Sequence, residues 1–369
     1  MAPLDELRLL LRPAGGGIHT VSTGKAEQLD LQRRLYGARD ADEVEQRWHA
    51  ALQSIAAARV VLLGVPSDCG ASLVRGAAWA PQALRETALR IDPHFPRWAG
   101  GLGVVDAGDV RVVPQLLLDD MLSEVTRAEV RRALYGGDVA LPVSPLSIAE
   151  HVVTAVLTLN PRATIVALGG DHSIAWPILC ALVRRHGPLC VVQPDAHTDL
   201  LRERQGVRIC FASWAWHANE LIGRCGRLVQ VGIRASGRTQ EQWESETGVR
   251  QFWAEEVRWR GEDAVLADLI DHLLRTGVTR AYISNDIDGT DPQFAPATGA
   301  PEPGGLSPGF VSRLIREVGA VLPLVGGDVV EVAPPLGDAL GSQRTLEVAV
   351  GYLRETLIAC SNSAASRSA

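Results

Sequence analysis

The sequence has little that would place the chain in a membrane or on a nucleic acid. No apolar run approaches the roughly 20 residues that a membrane-spanning helix needs. The segment from Met1 to Leu11 mixes leucine with acidic and basic residues, unlike the apolar run of a signal peptide. No basic block stands out, and 43 Asp and Glu residues outnumber 36 Lys and Arg residues. We therefore expect a cytoplasmic protein with neither a membrane nor a nucleic-acid partner.

Paired cysteine motifs are also missing. The six cysteines include no Cys-x-x-Cys pair and have no regular spacing: Cys69, Cys180, Cys190, Cys210, Cys225 and Cys360. In a chain of 369 residues such a pattern predicts free thiols in a reducing compartment rather than a disulfide framework.

Strand and helix patterns alternate along most of the chain. Short apolar runs, such as those from Arg59 to Gly64 and from Thr164 to Leu168, are typical of buried strands. Segments such as Leu146 to Leu159 and Ser342 to Leu357 have helical apolar spacing. This alternation predicts an α/β fold, with a largely parallel sheet covered by helices on both faces.

The two ends of the chain lack the alternating strand and helix patterns of the middle. We expect residues 1–57 to form a helical extension, with a flexible break at residues 13–17 and helices from Ala26 to Tyr36 and from Ala41 to Ala57. This arm is expected to pack on the main domain or on a neighbouring subunit. Residues 58–369 then form the main domain, ending in a Ser- and Ala-rich tail after Ala359 that is expected to fray.

The stretch Asp195-Ala196-His197-Thr198-Asp199 follows the predicted strand from Leu189 to Pro194. Residues two apart on an extended backbone point to the same side, so Asp195, His197 and Asp199 can converge on one point. Carboxylates with an imidazole suit a divalent metal of the manganese, nickel or zinc type. Alone, this pattern is equally compatible with a helix cap or a turn.

Three other predicted strands also end in metal-type or acidic side chains. His172 follows one of them, Asp286 and Asp288 end another, and Glu331 ends the last. Ligands bind at the carboxyl ends of parallel strands, so these groups are expected to lie together. Crowded carboxylates need cations between them, and six ligands exceed the three that one catalytic zinc uses. The residues therefore predict a two-metal site with the ligands His172, Asp195, His197, Asp199, Asp286 and Asp288.

Three long stretches resemble the signature motifs of the ureohydrolases, the family of arginases, agmatinases, guanidino-acid hydrolases and formiminoglutamases. They are Gly169-Gly170-Asp171-His172-Ser173, Asp195-Ala196-His197-Thr198-Asp199 and Ser284-Asn285-Asp286-Ile287-Asp288-Gly289-Thr290-Asp291-Pro292. The resemblance covers roughly residues 58–357. It implies a three-layer α/β/α sandwich around a mainly parallel eight-stranded sheet, assembled as a homo-oligomer, a trimer or a hexamer.

The resemblance also implies a role for each site residue. His172, Asp195, Asp199 and Asp286 would hold one metal ion, and His197, Asp195, Asp286 and Asp288 the other. The family metal is usually manganese, and some members use nickel. Glu331 matches the family's guanidinium-binding glutamate, and Asp199 would pass a proton to the leaving nitrogen. The implied reaction is hydrolysis of a guanidino compound to urea and an amine, or ammonia.

Two departures from the family pattern bear on the substrate. Cys210 stands near the place of a histidine that often shuttles protons, and His217 is a possible substitute for it. Leu200-Leu201 replaces the polar residues that hold the amino-acid end of arginine, which argues against arginine. Trp214 and Trp216 are expected to fill the space of a longer substrate tail, although core packing is an equally good explanation for each.

The run from Trp214 to Glu220 and the long N-terminal arm are similar to the nickel-dependent guanidine hydrolase branch. The sequence therefore favours free guanidine as the substrate, with agmatine or a short guanidino acid as the alternative. Three rival classes remain at this point. They are a formiminoglutamase, a one-zinc deacetylase of similar sheet architecture, and a non-catalytic subunit that keeps the fold.

Overall fold

The computed structural model describes residues 1–19, 22–137 and 139–366. Within them one nine-stranded sheet runs through the molecule in the order β1-β3-β2-β4-β9-β8-β5-β6-β7, where β1 pairs antiparallel and the other pairs are parallel. The strands are β1 (Leu11–Arg12), β2 (Val60–Gly64), β3 (Val104–Val110), β4 (Thr164–Leu168), β5 (Cys190–Pro194), β6 (Leu228–Ile233), β7 (Arg250–Trp253), β8 (Ala281–Asp286) and β9 (Leu324–Val330). The prediction of eight strands is wrong because the N-terminal extension contributes β1 to the sheet edge.

Helices cover both faces of this sheet. In the described chain they are α1 (Pro3–Leu10), α2 (Lys25–Tyr36), α3 (Ala41–Ser54), α4 (Ala80–Ile91), α5 (Phe95–Gly101), α6 (Glu124–Tyr135), α7 (Pro145–Leu159), α8 (Ala175–His186), α9 (Trp214–Leu221), α10 (Gln240–Thr247), α11 (Ala254–Arg260), α12 (Glu262–Arg275), α13 (Pro308–Val321) and α14 (Ala339–Ser366). None of them is both long enough and apolar enough to cross a bilayer.

The core consists of two apolar clusters, one on each face of the sheet. On β2, Val61 and Leu63 belong to one cluster, whereas Val60 and Leu62 belong to the other. Side chains alternate between the two faces of a strand, so a strand that is apolar at every position has to be covered on both sides. This distribution confirms the predicted α/β/α sandwich.

The N-terminal extension packs on the main domain. The indole of Trp48 donates a 2.9 Å hydrogen bond to the carbonyl oxygen of Ala107 in β3, and the Gly15 amide donates to Asp109 Oδ2 at 2.7 Å. A Cβ on Gly17 would lie 2.5 Å from the Val110 carbonyl oxygen. The predicted flexible break at residues 13–17 is therefore wrong, because its glycines let the backbone pass close to β3.

The predicted fraying after Ala359 is also wrong over most of the tail. Helix α14 continues to Ser366 and buries Cys360 and Ala364. Its serine hydroxyls bond the main domain, since Ser363 Oγ accepts from the Leu324 amide and Ser361 Oγ donates to the Leu102 carbonyl oxygen. The last part of the predicted tail, residues 367–369, lies outside the described residues.

Candidate metal centre

Four consecutive strands in the middle of the sheet, β4, β9, β8 and β5, bring the predicted site residues to one edge. In this order β9 lies between β4 and β8. Glu331 follows β9 directly and therefore lies between the His172 turn and the Asp286 turn. The carboxyl edge of the sheet thus gathers all six predicted ligands and Glu331.

The turn after β4 is built on close backbone approach. A Cβ on Gly170 would lie 1.7 Å from the Ser67 carbonyl oxygen, so only glycine fits there. The next residue, Asp171, is fully buried, and its carboxylate accepts hydrogen bonds from the amides of Gly70 and Ser173 at 2.9 and 2.8 Å. Burial raises the pKa of Asp171 to about 6. These contacts fix the turn that presents His172 to the site.

One group of donors converges on His172. Its buried Nδ1 lies 3.0 Å from Asp286 Oδ2 and 3.3 Å from both Asp195 Oδ2 and Asp199 Oδ2. The same nitrogen makes no hydrogen bond to any described residue. Burial alone would lower the pKa of His172, but the three surrounding carboxylates outweigh it and raise that pKa well above its usual value. A nitrogen without a partner among three carboxylates is the arrangement that a cation completes.

A second group lies beside the first and shares Asp195 with it. His197 Nδ1 is 3.0 Å from Asp288 Oδ2 and 3.7 Å from Asp195 Oδ1. Within each group, His172 with Asp195 and Asp199, or His197 with Asp195 and Asp288, the ligand atoms all lie within 4.8 Å of one another. Asp195 therefore turns one oxygen towards each group, which is what a bridging ligand has to do.

The charges of the cluster also fit a pair of cations. Burial, together with the neighbouring Asp199 and Asp288, raises the pKa of Asp195 to about 7. Burial and two neighbouring carboxylates raise the pKa of Asp286 well above its usual value. Buried carboxylates at these distances repel one another, so the cluster favours positive charge between them. Each of the two groups supplies the nitrogen and oxygen donors that manganese, nickel or zinc bind.

Residues behind the cluster orient His172. Its Nε2 lies 3.0 Å from Ser284 Oγ, and that hydroxyl donates to the Asp328 carboxylate at 3.1 Å. Asp328 also accepts from the Tyr282 hydroxyl at 2.7 Å. Since Ser284 donates onward, it accepts from Nε2, which leaves Nδ1 free as the ligand atom. Asp328 is not among the predicted site residues, although an acidic residue inside the apolar strand β9 is a usable signal.

Asp199 is held by Trp214. The fully buried indole donates from Nε1 to Asp199 Oδ2 at 2.9 Å, and its ring centroid lies 4.3 Å from that of His172. Of the two explanations for Trp214, the structure favours core packing, because the side chain has no exposed surface for a substrate to touch. Asp199 has a φ of 53°, a left-handed conformation that is uncommon outside glycine.

Glu331 lies at the open side of the cluster. Its Oε1 accepts the His172 amide at 2.8 Å, and its backbone is also left-handed, with a φ of 58°. A Cβ on Gly299 would lie 3.8 Å from Glu331 Oε2 and 3.3 Å from the Val74 carbonyl oxygen, so the loop before Gly76 borders this carboxylate. Burial, together with the charge of Asp171, raises the pKa of Glu331 well above its usual value.

The structure does not bring His217 or Trp216 into the cluster. The Nε2 atom of His217 lies 3.0 Å from the carbonyl oxygens of Arg202 and Arg208, and burial lowers the pKa of this imidazole. Its ring packs edge-on against Trp216, with the centroids 4.8 Å apart. Trp216 instead lines a separate cavity with Trp243. The proton-shuttle role of His217 and the substrate-tail role of Trp216 therefore lack the contacts that they need.

Comparison with known proteins agrees with this site. The chain matches the arginase family over residues 58–359. It is 33% identical to the guanidinobutyrase of Pseudomonas aeruginosa, over 74% of this chain and 78% of that protein, and 32% identical to the human mitochondrial guanidino acid hydrolase, over 74% and 71%. The solved proclavaminate amidinohydrolase of Streptomyces clavuligerus superimposes with a TM-score of 0.65 at 30% identity, covering 82% of this chain and 92% of that one. These matches confirm the resemblance seen in the motifs, and the chain belongs to the arginase family.

Proposed function

We propose that the chain uses two divalent metal ions, manganese or nickel, to hydrolyse a carbon–nitrogen bond of a small guanidino compound, releasing urea. The observation that carries this proposal is the pair of donor groups that share Asp195, one around His172 and one around His197. A single catalytic zinc would use only about three of these ligands. Two groups with a common carboxylate are what a two-ion site requires.

Each ligand has a proposed place. His172, Asp195, Asp199 and Asp286 would hold one ion, and His197, Asp195, Asp286 and Asp288 the other. When bound, the pair of ions supplies a hydroxide at neutral pH by lowering the pKa of water.

Glu331 would bind the substrate, and Asp199 would transfer a proton. Glu331 follows β9 next to the cluster and is only partly buried, so a planar guanidinium can donate paired N–H groups to its carboxylate. This contact would hold the central carbon in place and make the attack effectively unimolecular. Asp199, fixed by the Trp214 indole, would then carry a proton to the departing nitrogen.

The sequence favoured free guanidine because the run from Trp214 to Glu220 and the N-terminal arm are similar to the guanidine hydrolase branch. Trp214 is fully buried and Trp216 lines a separate cavity, so neither side chain supports the exclusion of a substrate tail. A cavity of about 1030 Å³ lies beside the site instead. We therefore propose a guanidino compound with a tail as the first candidate. Similar proteins are named guanidinobutyrase, guanidino acid hydrolase and agmatinase. Free guanidine remains the second candidate because of the sequence run from Trp214 to Glu220.

A urea-release screen tests this function. Purified protein loaded with manganese or nickel is incubated with guanidine, agmatine, guanidinobutyrate, guanidinopropionate, arginine and formiminoglutamate, and urea and formamide are measured. We expect urea in equal amount to the amine, from at least one tailed compound. The matched variant Asp286→Ala should release none. Absence of urea with every compound and both metals, or release of formamide from formiminoglutamate instead, would overturn the proposal.

A further inference from the structure

The largest cavity beside the metal centre is formed by three loops. It has a volume of about 1030 Å³ and is lined by parts of residues 69–75, 114–122 and 204–211. The first and third loops are joined by a 3.0 Å hydrogen bond from the Phe211 amide to the Gly70 carbonyl oxygen. The Gly70 amide in turn donates to Asp171, the neighbour of His172 in the chain. One wall of the cavity is therefore built directly on the turn that presents His172.

The same loop also borders Glu331. The Val74 carbonyl oxygen and Glu331 Oε2 lie 3.3 and 3.8 Å from the position that a Cβ on Gly299 would take, and Arg75 follows Val74 in the chain. Arg75 lines the cavity. A molecule that places one end against Glu331 can therefore extend its other end into this space.

The cavity is cationic, although the chain as a whole carries a net charge of −7. Arg75 and Arg204 line it, and none of the described lining residues is Asp or Glu. Neither arginine forms an ion pair with a described residue. Asp68, the acidic residue of the first loop, instead accepts hydrogen bonds from the backbone amides of Gly76 and Ala78. Two arginines without carboxylate partners on one cavity favour an anion.

Arg204 is held in place for such a contact. Its backbone pairs with Val207 across a tight turn, through 2.9 Å hydrogen bonds in both directions. Its guanidinium carbon lies 5.0 Å from the ring centroid of Phe211, which also lines the cavity. Stacking on an aromatic ring leaves the N–H groups at the edge of the guanidinium available to a carboxylate.

We propose that Arg75 and Arg204 form an anion-binding subsite for the tail of the substrate, which is therefore a guanidino compound ending in a carboxylate. This inference rests on the proposed function and narrows it. Glu331 would take the cationic guanidinium, and the two arginines would take the anionic end. A cationic tail such as that of agmatine would be repelled from the same cavity, and free guanidine would not reach it.

Charge-removing variants test the subsite. For Arg75→Gln and Arg204→Gln we expect KM for guanidinobutyrate to rise about twofold to fivefold each, the range for an exposed charge pair. KM for agmatine should fall, because a repulsive charge has been removed, and KM for guanidine should not change. Opposite shifts for the two tails separate a charge effect from a general disturbance of the site. The control is Arg208→Gln, in the same loop, because Arg208 already pairs with Asp120 at 2.8 Å.

A binding measurement separates failure of this inference from failure of the proposed function. Calorimetric titration of the metal-free protein with guanidinobutyrate measures binding without turnover, and we expect tighter binding to the wild type than to Arg75→Gln, Arg204→Gln or their combination. Equal affinity in all of them, or no binding of guanidinobutyrate at all, overturns the subsite whether or not urea is formed. Absence of urea from a protein that binds guanidinobutyrate through both arginines would overturn the reaction and leave the subsite standing.

Discussion

Among the individual residues of the site, Asp195 is the one whose carboxylate connects the two donor groups. Its Oδ2 atom lies 3.3 Å from His172 Nδ1, and its Oδ1 atom lies 3.7 Å from His197 Nδ1. The Gln193 side chain and the His197 amide donate to these two oxygens at 2.7 and 2.6 Å. These contacts fix the plane of the carboxylate, so that each oxygen faces one donor group.

Trp214 gives a prediction at this scale. In Trp214→Phe the ring that packs on His172 is largely kept, but the N–H donor to Asp199 Oδ2 is lost. We expect kcat to fall about tenfold with little change in KM, because a positioning contact is lost and Glu331 is untouched. We also expect the protein to release one metal ion more readily to a competing chelator. The contact is a hydrogen bond to a charged group, and its loss costs about 1.5–3 kcal/mol.

A matched control is Trp48→Phe. Trp48 is also fully buried and also donates from its indole, but to the Ala107 carbonyl oxygen far from the cluster in sequence. The Trp48→Phe variant should have a lower unfolding temperature than the wild type but should retain its metal ions equally well. Wild-type kcat and metal retention in Trp214→Phe would contradict the positioning role.

Sequence spacing was sufficient to predict the metal ligands, but it did not predict how the side chains around them are oriented. The spacing of Asp195, His197 and Asp199 predicted that they converge, and the structure places all three in the cluster, although they follow the end of β5 and Asp199 is left-handed. The orientation of the Trp214 ring depends on how helix α9 packs, which no local pattern records. His217 lies three residues further along the same helix and turns to backbone oxygens instead. Helical periodicity predicts that Trp214 and His217 lie on one helix, but it does not show which face of that helix points towards the cluster.

At the scale of secondary-structure elements, the turn between β4 and α8 has the strictest packing. Its Gly170 carries the closest backbone approach in the site, with the Ser67 carbonyl oxygen. A side chain there would push apart the β2 and β4 ends and move His172 away from Glu331. The conformation of this turn is therefore set by the close backbone contact at Gly170, and not by the metal ligand that follows it.

Gly170→Ala is expected to disrupt this turn. The added Cβ would have to lie 1.7 Å from a backbone oxygen, so the backbone must shift. We expect a lower unfolding temperature and loss of bound metal, measured by calorimetry and elemental analysis. Gly100→Ala is the control, because nothing lies within 4 Å of its added Cβ and it sits in helix α5. The control should be neutral or stabilising by up to about 1 kcal/mol. Wild-type stability and metal content in Gly170→Ala would contradict this account.

Elements with a clear apolar period were predictable, whereas short or exposed ones were not. The strand from Thr164 to Leu168 was predicted with the observed bounds, because it is apolar throughout. The four-residue strand β7, Arg250–Trp253, mixes polar and aromatic residues and is defined by its pairing with β6. Helix α13 was missed although Ser307 caps it and Pro308 opens it, a signal that the sequence does contain.

On the scale of the whole molecule, the N-terminal extension is part of the fold. Leu7, Leu11 and Trp48 lie in the same apolar cluster as the strands of the main domain. The antiparallel strand β1 extends the parallel sheet at its edge through β3. Such long-range pairing depends on residues about a hundred positions apart, which explains why the sequence suggested only a helical arm. Assembly as a trimer or hexamer, which the family resemblance implies, stays a prediction.

Elemental analysis of protein that is fully active and freed of loosely bound metal will show whether the carboxyl edge of this sheet holds two divalent ions, as we propose. We expect two manganese or nickel ions per chain, and we expect Asp195→Asn, which alters the carboxylate facing both donor groups, to lose metal and urea release together. One ion or none in the active protein, or full turnover by Asp195→Asn, would contradict this proposal.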